Sequence, residues 1–154
     1  MKQDKNDRLN RSAIHLLHRA GQCAAVIFHG EMTSGLTPRQ LAVLMTVAQN
    51  EGLNQSELVD GTGIDRSTLA DIVRRLVERG LLHRRRTRAD ARAYAVKLTK
   101  DGRRVLDRVE PLAKRVDERV LNALPARQRE EFMTALLTIV ETLERVAPQG
   151  EGQT

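Results

Sequence analysis

The sequence predicts a mainly α fold with one small β-hairpin, and three observations carry that expectation. Apolar residues make up 40% of the 154-residue chain, yet the only aromatics are Phe28, Tyr94 and Phe132, so the core must be aliphatic, a composition that favours helices. Apolar residues recur at spacings of three and four along most of the length. One short run, Ala93 to Leu98, alternates instead, with Tyr94, Val96 and Leu98 on one side and Ala95 and Lys97 on the other, the period of a strand.

Leu9 to Met32 is the first long helix, with Ala13, Leu17, Ala20, Ala24, Ile27 and Phe28 as its stripe. The segment TSGLTPRQ breaks it. Thr37 is the next N-cap and Pro38 suits the first helical position, ahead of Leu41, Leu44, Met45 and Ala48. That helix ends near NEGLN. Asn54 or Gln55 opens a short helix carrying Leu58 and Val59, closed by Gly61 and Gly63. Asp65 caps the following helix, whose stripe is Leu69, Ile72, Val73, Leu76 and Val77 and whose stop is Gly80. Leu81 to Arg84 and Ala93 to Leu98 then form a hairpin with an arginine-rich tip. Thr99 caps a long helix with its stripe at Val105, Val109, Leu112, Val116 and Val120, and Pro111 is a candidate kink. After NALPARQ, a last helix carries Met133, Leu136, Leu137, Val140 and Leu143, followed by a frayed tail. The middle elements spell a helix-turn-helix with a hairpin wing.

The length suits one domain, with or without an added oligomerisation element. A single cysteine, Cys23, rules out an intramolecular disulfide, and the polar N-terminus lacks the apolar run of a signal peptide. No stretch approaches the ~20 apolar residues needed to span a bilayer, so the expectation is a soluble cytoplasmic protein with no membrane partner. The net charge of +6 is unevenly placed: Ile64 to Arg104 holds 13 Lys/Arg against 5 Asp/Glu, leaving the remainder at −2. A basic patch so confined is the footprint of a polyanion, unless it is merely a solvated face.

The pattern around the patch favours the polyanion. In the helix from Asp65 to Arg79 the face opposite the apolar stripe presents Arg66, Ser67, Thr68, Asp71, Arg74 and Arg75. Hydroxyls at a helix start can bond phosphates or base edges, and arginine forks match the two acceptors of guanine in a DNA major groove. The hairpin holds five arginines within ten residues, Arg84, Arg85, Arg86, Arg88 and Arg92, placed to lie along the next minor groove, whose negative potential attracts them. Asp90, two residues before Arg92, fits as a brace that holds one guanidinium in a single geometry.

The stretch DRSTLADIVRRLVERGLLHRRRTRADARAYAVKLTKDGRRVL resembles the MarR (multiple antibiotic resistance regulator) family of bacterial winged-helix transcription factors. The resemblance rests on L-x-x-x-G-L at Leu76 to Leu81 with Leu82 following, D-x-R at Asp90 to Arg92, and V-x-L-T-x-x-G at Val96 to Gly102. It implies a homodimer whose first and last two helices interlock, and two recognition helices in successive major grooves of a pseudo-palindromic duplex, ~34 Å apart. Arg92 would reach the minor groove with Asp90 bracing it. Residues 1–35 would be an N-terminal dimerisation helix, 36–99 the DNA-binding domain, 100–147 the C-terminal dimerisation helices and 148–154 a flexible tail.

The resemblance further implies a repressor released by a small ligand or by oxidation. His15, Arg19 and Gln22 share one helix face with His18 and Cys23 beside it, where Arg19 could pair with a carboxylate or thioester phosphates and a histidine with a phenol or carbonyl. The alternative is that they bond between protomers or domains. HLLHRA looks like the branch that answers to aromatic acids or their coenzyme A thioesters. Cys23 is either a small buried apolar residue or a redox-active thiol with Arg19 one turn away; the only tyrosine, Tyr94, lies in the wing. Zinc on His15, His18 and Cys23 or His29 would lack an acidic ligand, so no metal or other cofactor is expected. No nucleophile elbow, phosphate-binding glycine loop or carboxylate pair marks an enzyme. Three aromatics are too few for single-strand stacking. A sequence-independent architectural DNA protein remains the other rival.

Overall fold

A computed structural model describes residues 7–88 and 94–147. Its elements run α1 (Asp7–Asn10), α2 (Ala13–Glu31), α3 (Pro38–Gln49), α4 (Gln55–Thr62), α5 (Arg66–Glu78), β1 (Leu82–Arg86), β2 (Tyr94–Leu98), α6 (Lys100–Leu121) and α7 (Ala126–Val146). The expected mainly α fold with a hairpin is what forms. Local chemistry sets most boundaries. Thr37 and Gln40 close a capping box with Pro38 in the first turn of α3, Asn54 and Glu57 do the same for α4, and Asp65 and Thr99 cap α5 and α6. α6 runs through Pro111 unbroken.

Three expectations need correction. Leu9 to Met32 is two helices, not one: the Ser12 N–H donates to the Leu9 carbonyl and the Ser12 hydroxyl accepts from the His15 N–H, so a competing N-cap restarts the chain. Gly61 does not close α4. It lies inside the helix where a Cβ would press on Thr46 Cγ2 at 3.0 Å, and only Gly63, at φ +65°, caps the end. β1 begins at Leu82 and continues to Arg86, because the ladder pairs Leu82 with Leu98, Arg84 with Val96 and Arg86 with Tyr94. Leu53 adds an isolated bridge to Val96, a third edge with no periodicity to announce it.

The core joins α3, α4, α5, the wing base, α6 and the end of α2: Leu36, Leu44, Leu58, Leu69, Leu76, Leu82 and Leu106 are fully buried, and Phe28 is the one aromatic among them. Glu31 ties α2 to α6 through Arg119 at 2.7 Å and Arg115 at 3.7 Å. α7 differs: no residue of it is buried. The stripe of α2 is likewise open over most of its length, with Leu17 and Ala20 exposed.

The sequence motifs G-L and L-T-x-x-G meet in space. The Thr99 hydroxyl donates to the Gly80 carbonyl at 2.6 Å and accepts from the Gly102 N–H at 2.9 Å, while the Thr99 N–H donates to the Leu81 carbonyl. Gly102 sits so tightly on Leu81 that an added Cβ would collide with its carbonyl oxygen. This junction fixes the wing and α6 to the end of α5. Gly102→Ala is therefore expected to destabilise the fold by about 1–3 kcal/mol, read as a lower midpoint in urea, since backbone must move to admit one methyl.

Candidate nucleic-acid interface

α5 presents its polar side beside the wing. Asp65 Oδ1 accepts from the Ser67 hydroxyl at 2.8 Å and the Thr68 N–H at 2.9 Å, which orders the first turn. The Thr68 hydroxyl, then the Thr68 N–H and the Ser67 hydroxyl, hold the Asp65 carboxyl down from the ordinary 3.8 to about 2. A carboxylate depressed in the folded state contributes stability that is complete above its unfolded value and fades as pH falls toward the folded one. Between wild type and Asp65→Ala, the gap in melting temperature should hold above pH 4, shrink as pH drops toward 2, and vanish below it. A gap constant with pH would remove the charged cap.

The sequence placed Arg66, Ser67, Thr68, Asp71, Arg74 and Arg75 on one exposed face. Arg66, Ser67, Arg74 and Arg75 are exposed; Thr68 and Asp71 are half-buried. Asp71 is a clamp. Its Oδ1 binds Arg74 at 2.6 Å and its Oδ2 binds Arg75 at 2.7 Å, and Arg74 also reaches Glu78 at 2.7 Å. Hydrogen bonds from Arg74, then Arg75, hold the Asp71 carboxyl below its usual value, and the same contact raises Arg74. Exposed pairs of this kind add little stability, but they restrict where the two guanidinium groups point.

Arg66 is held from α4: it donates to Ser56 Oγ at 2.8 Å while the Gln55 amide donates to the Arg66 carbonyl at 3.2 Å. Arg84, Arg86 and Arg88 are exposed along and just beyond β1. Arg84 and Arg86 share a strand face with buried Leu82, and Arg84 with Tyr94 and Val96 lines a cleft of about 590 Å³ that Arg66 and Val73 border from α5. Cationic groups thus flank an open cleft between helix and wing, a surface suited to anionic oxygens. Asp90 and Arg92 lie outside the described residues. Sequence reasoning missed Gln55, Ser56 and Glu78. The Arg74–Glu78 spacing of four was visible; the Ser56–Arg66 contact joins two helices and left no local sign.

The first-helix group is not gathered into a cavity of the protomer. His15 is half-buried, and His18, Arg19 and Gln22 are exposed on α2. Cys23 is exposed, so the small-buried-residue reading fails within one chain, because the α2 stripe meets nothing there. His15, His18, Cys23 and His29 form no three-ligand cluster among the described residues. A separate cavity of about 500 Å³ opens between α2, α6, α7 and the start of α3, with Phe28, Pro38, Asp117, Phe132 and Met133 in its wall. Among the described residues no helix is long and apolar enough to cross a membrane.

Comparison with known proteins follows the same lines. Residues 34–93 match the family model described as MarR family. The chain is 32% identical over 134 residues to the transcriptional regulator HosA of Escherichia coli O127:H6, covering 87% of this chain and 98% of that one. Among solved structures it is similar to BpsR of Bordetella bronchiseptica, described by the regulation of its DNA binding by 6-hydroxynicotinic acid (TM-score 0.76, 30% identity, 82% of this chain and 96% of that one). It is also similar to the transcriptional repressor CouR bound to a 23-mer DNA duplex (TM-score 0.81, 31% identity, 89% and 98%).

Proposed function

The chain belongs to the MarR family of regulators, and on that premise we propose that it is a cytoplasmic, homodimeric repressor that holds a pseudo-palindromic duplex and releases it on binding an aromatic acid or its coenzyme A thioester. The observation that carries this reading is the ordered row of Arg66, Arg74 and Arg75 on α5 beside Arg84, Arg86 and Arg88 of the wing. α5 enters the major groove, where Arg74 and Ser67 read base edges. The wing follows the adjacent minor groove, with Arg92 reaching in and Asp90 bracing it. Residues 36–99 form the DNA-binding unit, 1–35 and 100–147 join the two copies, and 148–154 are a tail. CouR's duplex complex and BpsR's response to 6-hydroxynicotinic acid support the two halves of the proposal.

The acid is taken on the open face of α2 by Arg19, with His15, His18 and Gln22 completing the polar surround. The test is a footprint on the promoter beside its own gene, followed by titration with aromatic acids and their acyl thioesters. A footprint with sharp edges is expected, and its absence would favour the architectural reading. Arg19→Ala should keep the footprint and lose release by the acid that acts on wild type. Release by peroxide in place of any acid, lost in Cys23→Ser, would instead assign the switch to the exposed thiol.

A further inference from the structure

We propose that the cavity between α2, α6 and α7 binds an aromatic organic cation, with Asp117 taking the charge and Phe28 and Phe132 contacting the rings. The cavity, at about 500 Å³, lies within the size range of small-molecule sites. Its wall contains both phenylalanines of the chain, though aromatics are 2% of the sequence. Asp117 is the one charged side chain in the wall; no lysine, arginine or histidine lines it. Among the described residues Asp117 makes neither an ion pair nor a hydrogen bond, although Arg115 and Arg119 on the same helix both turn to Glu31. Burial pushes the Asp117 carboxyl above its ordinary value, the response of a carboxylate that lacks a counter-charge. A cation supplies that charge, and aromatic faces attract it further.

This goes beyond the acid-responsive reading. At 100° per residue, His15, Arg19 and Gln22 lie roughly a third of a turn or more around α2 from the line of Gly21, Ala25 and Phe28. The two chemistries therefore occupy different faces of α2. Pro38, the first residue of α3, belongs to the cavity wall, so an occupant touches the start of the helix-turn-helix block.

The experiment uses the full chain without DNA. Tetraphenylphosphonium and 2-phenylethylammonium are titrated calorimetrically, and tetraphenylborate, matched to the phosphonium in shape but opposite in charge, is offered as competitor. The protein carries +6, so non-specific attraction favours the borate. The expected result is saturable binding of both cations at one site per protomer, with no displacement by borate. Asp117→Asn should weaken phosphonium binding roughly tenfold or more, and Phe132→Leu should weaken it severalfold. Displacement by borate, equal binding to Asp117→Asn, or no saturable binding of either cation would overturn the proposal. The footprint of Asp117→Asn, read separately, reports on the regulator reading and is expected to match wild type.

Discussion

Replacing Val140 and Leu143 together with glutamate is expected to leave the protein monomeric in sedimentation and unable to protect DNA. Both lie on α7, a helix of 21 residues with none buried. Its apolar side chains are displayed: Phe132 is 40% exposed, Val140 44%, Leu143 55% and Val146 71%. α2 shows the same deficit, with Ile14 at 80% and Val26 at 72%. Isolated helices are marginal in water, and a large exposed apolar stripe marks an interface. A second copy offers the same two stripes, and their mutual burial is the interface that a two-fold dimer needs. Four uncompensated carboxylates placed in it should raise the dimer dissociation constant by ~10³-fold or more. The core built on Leu44, Leu58, Leu69 and Leu76 contains none of these side chains, so the helix-turn-helix block should still melt cooperatively. A variant that stays dimeric would remove α7 from the association.

The same stripes show what periodicity reveals and what it does not. Spacing identified Met133, Leu136, Val140 and Leu143 as one apolar face, but spacing cannot say which chain covers it. The caps at Thr37, Asp65 and Thr99 were legible because a cap is a contract between residues three apart. The Ser12 cap is equally local, yet apolar spacing on both sides of it hid the break. The Asp71 clamp was legible in part, since its partners stand three and four residues away. The Ser56–Arg66 and Glu31–Arg119 contacts join residues 10 and 88 positions apart and exist only once helices pack. The cavity was hidden for that reason: Phe28 reads as ordinary core, Asp117 as a solvated helix charge, and Phe132 as part of no stripe.

Arg74→Ala is expected to lower specific DNA affinity by roughly 5- to 150-fold per half-site, the worth of one bidentate base contact, and hence by roughly 30- to 10⁴-fold for a dimer that carries the change twice. Binding to unrelated duplex should change far less. The reason lies in the clamp. Asp71 and Glu78 hold both ends of the Arg74 guanidinium, at 2.6 and 2.7 Å, so this arginine meets DNA with its direction already restricted. Such restraint favours reading a base over a loose grip on phosphate. Arg92→Ala is the contrasting variant. If Arg92 serves the minor groove, its loss weakens binding to all sequences and lowers the salt slope by roughly 0.9 for each contact removed. Two gel-shift series across salt, one with the footprinted site and one with random duplex, separate the two roles. A specificity ratio unchanged in Arg74→Ala would move base reading to Ser67 and Thr68 at the start of α5. A salt slope unchanged in Arg92→Ala would take the wing tip out of the contact.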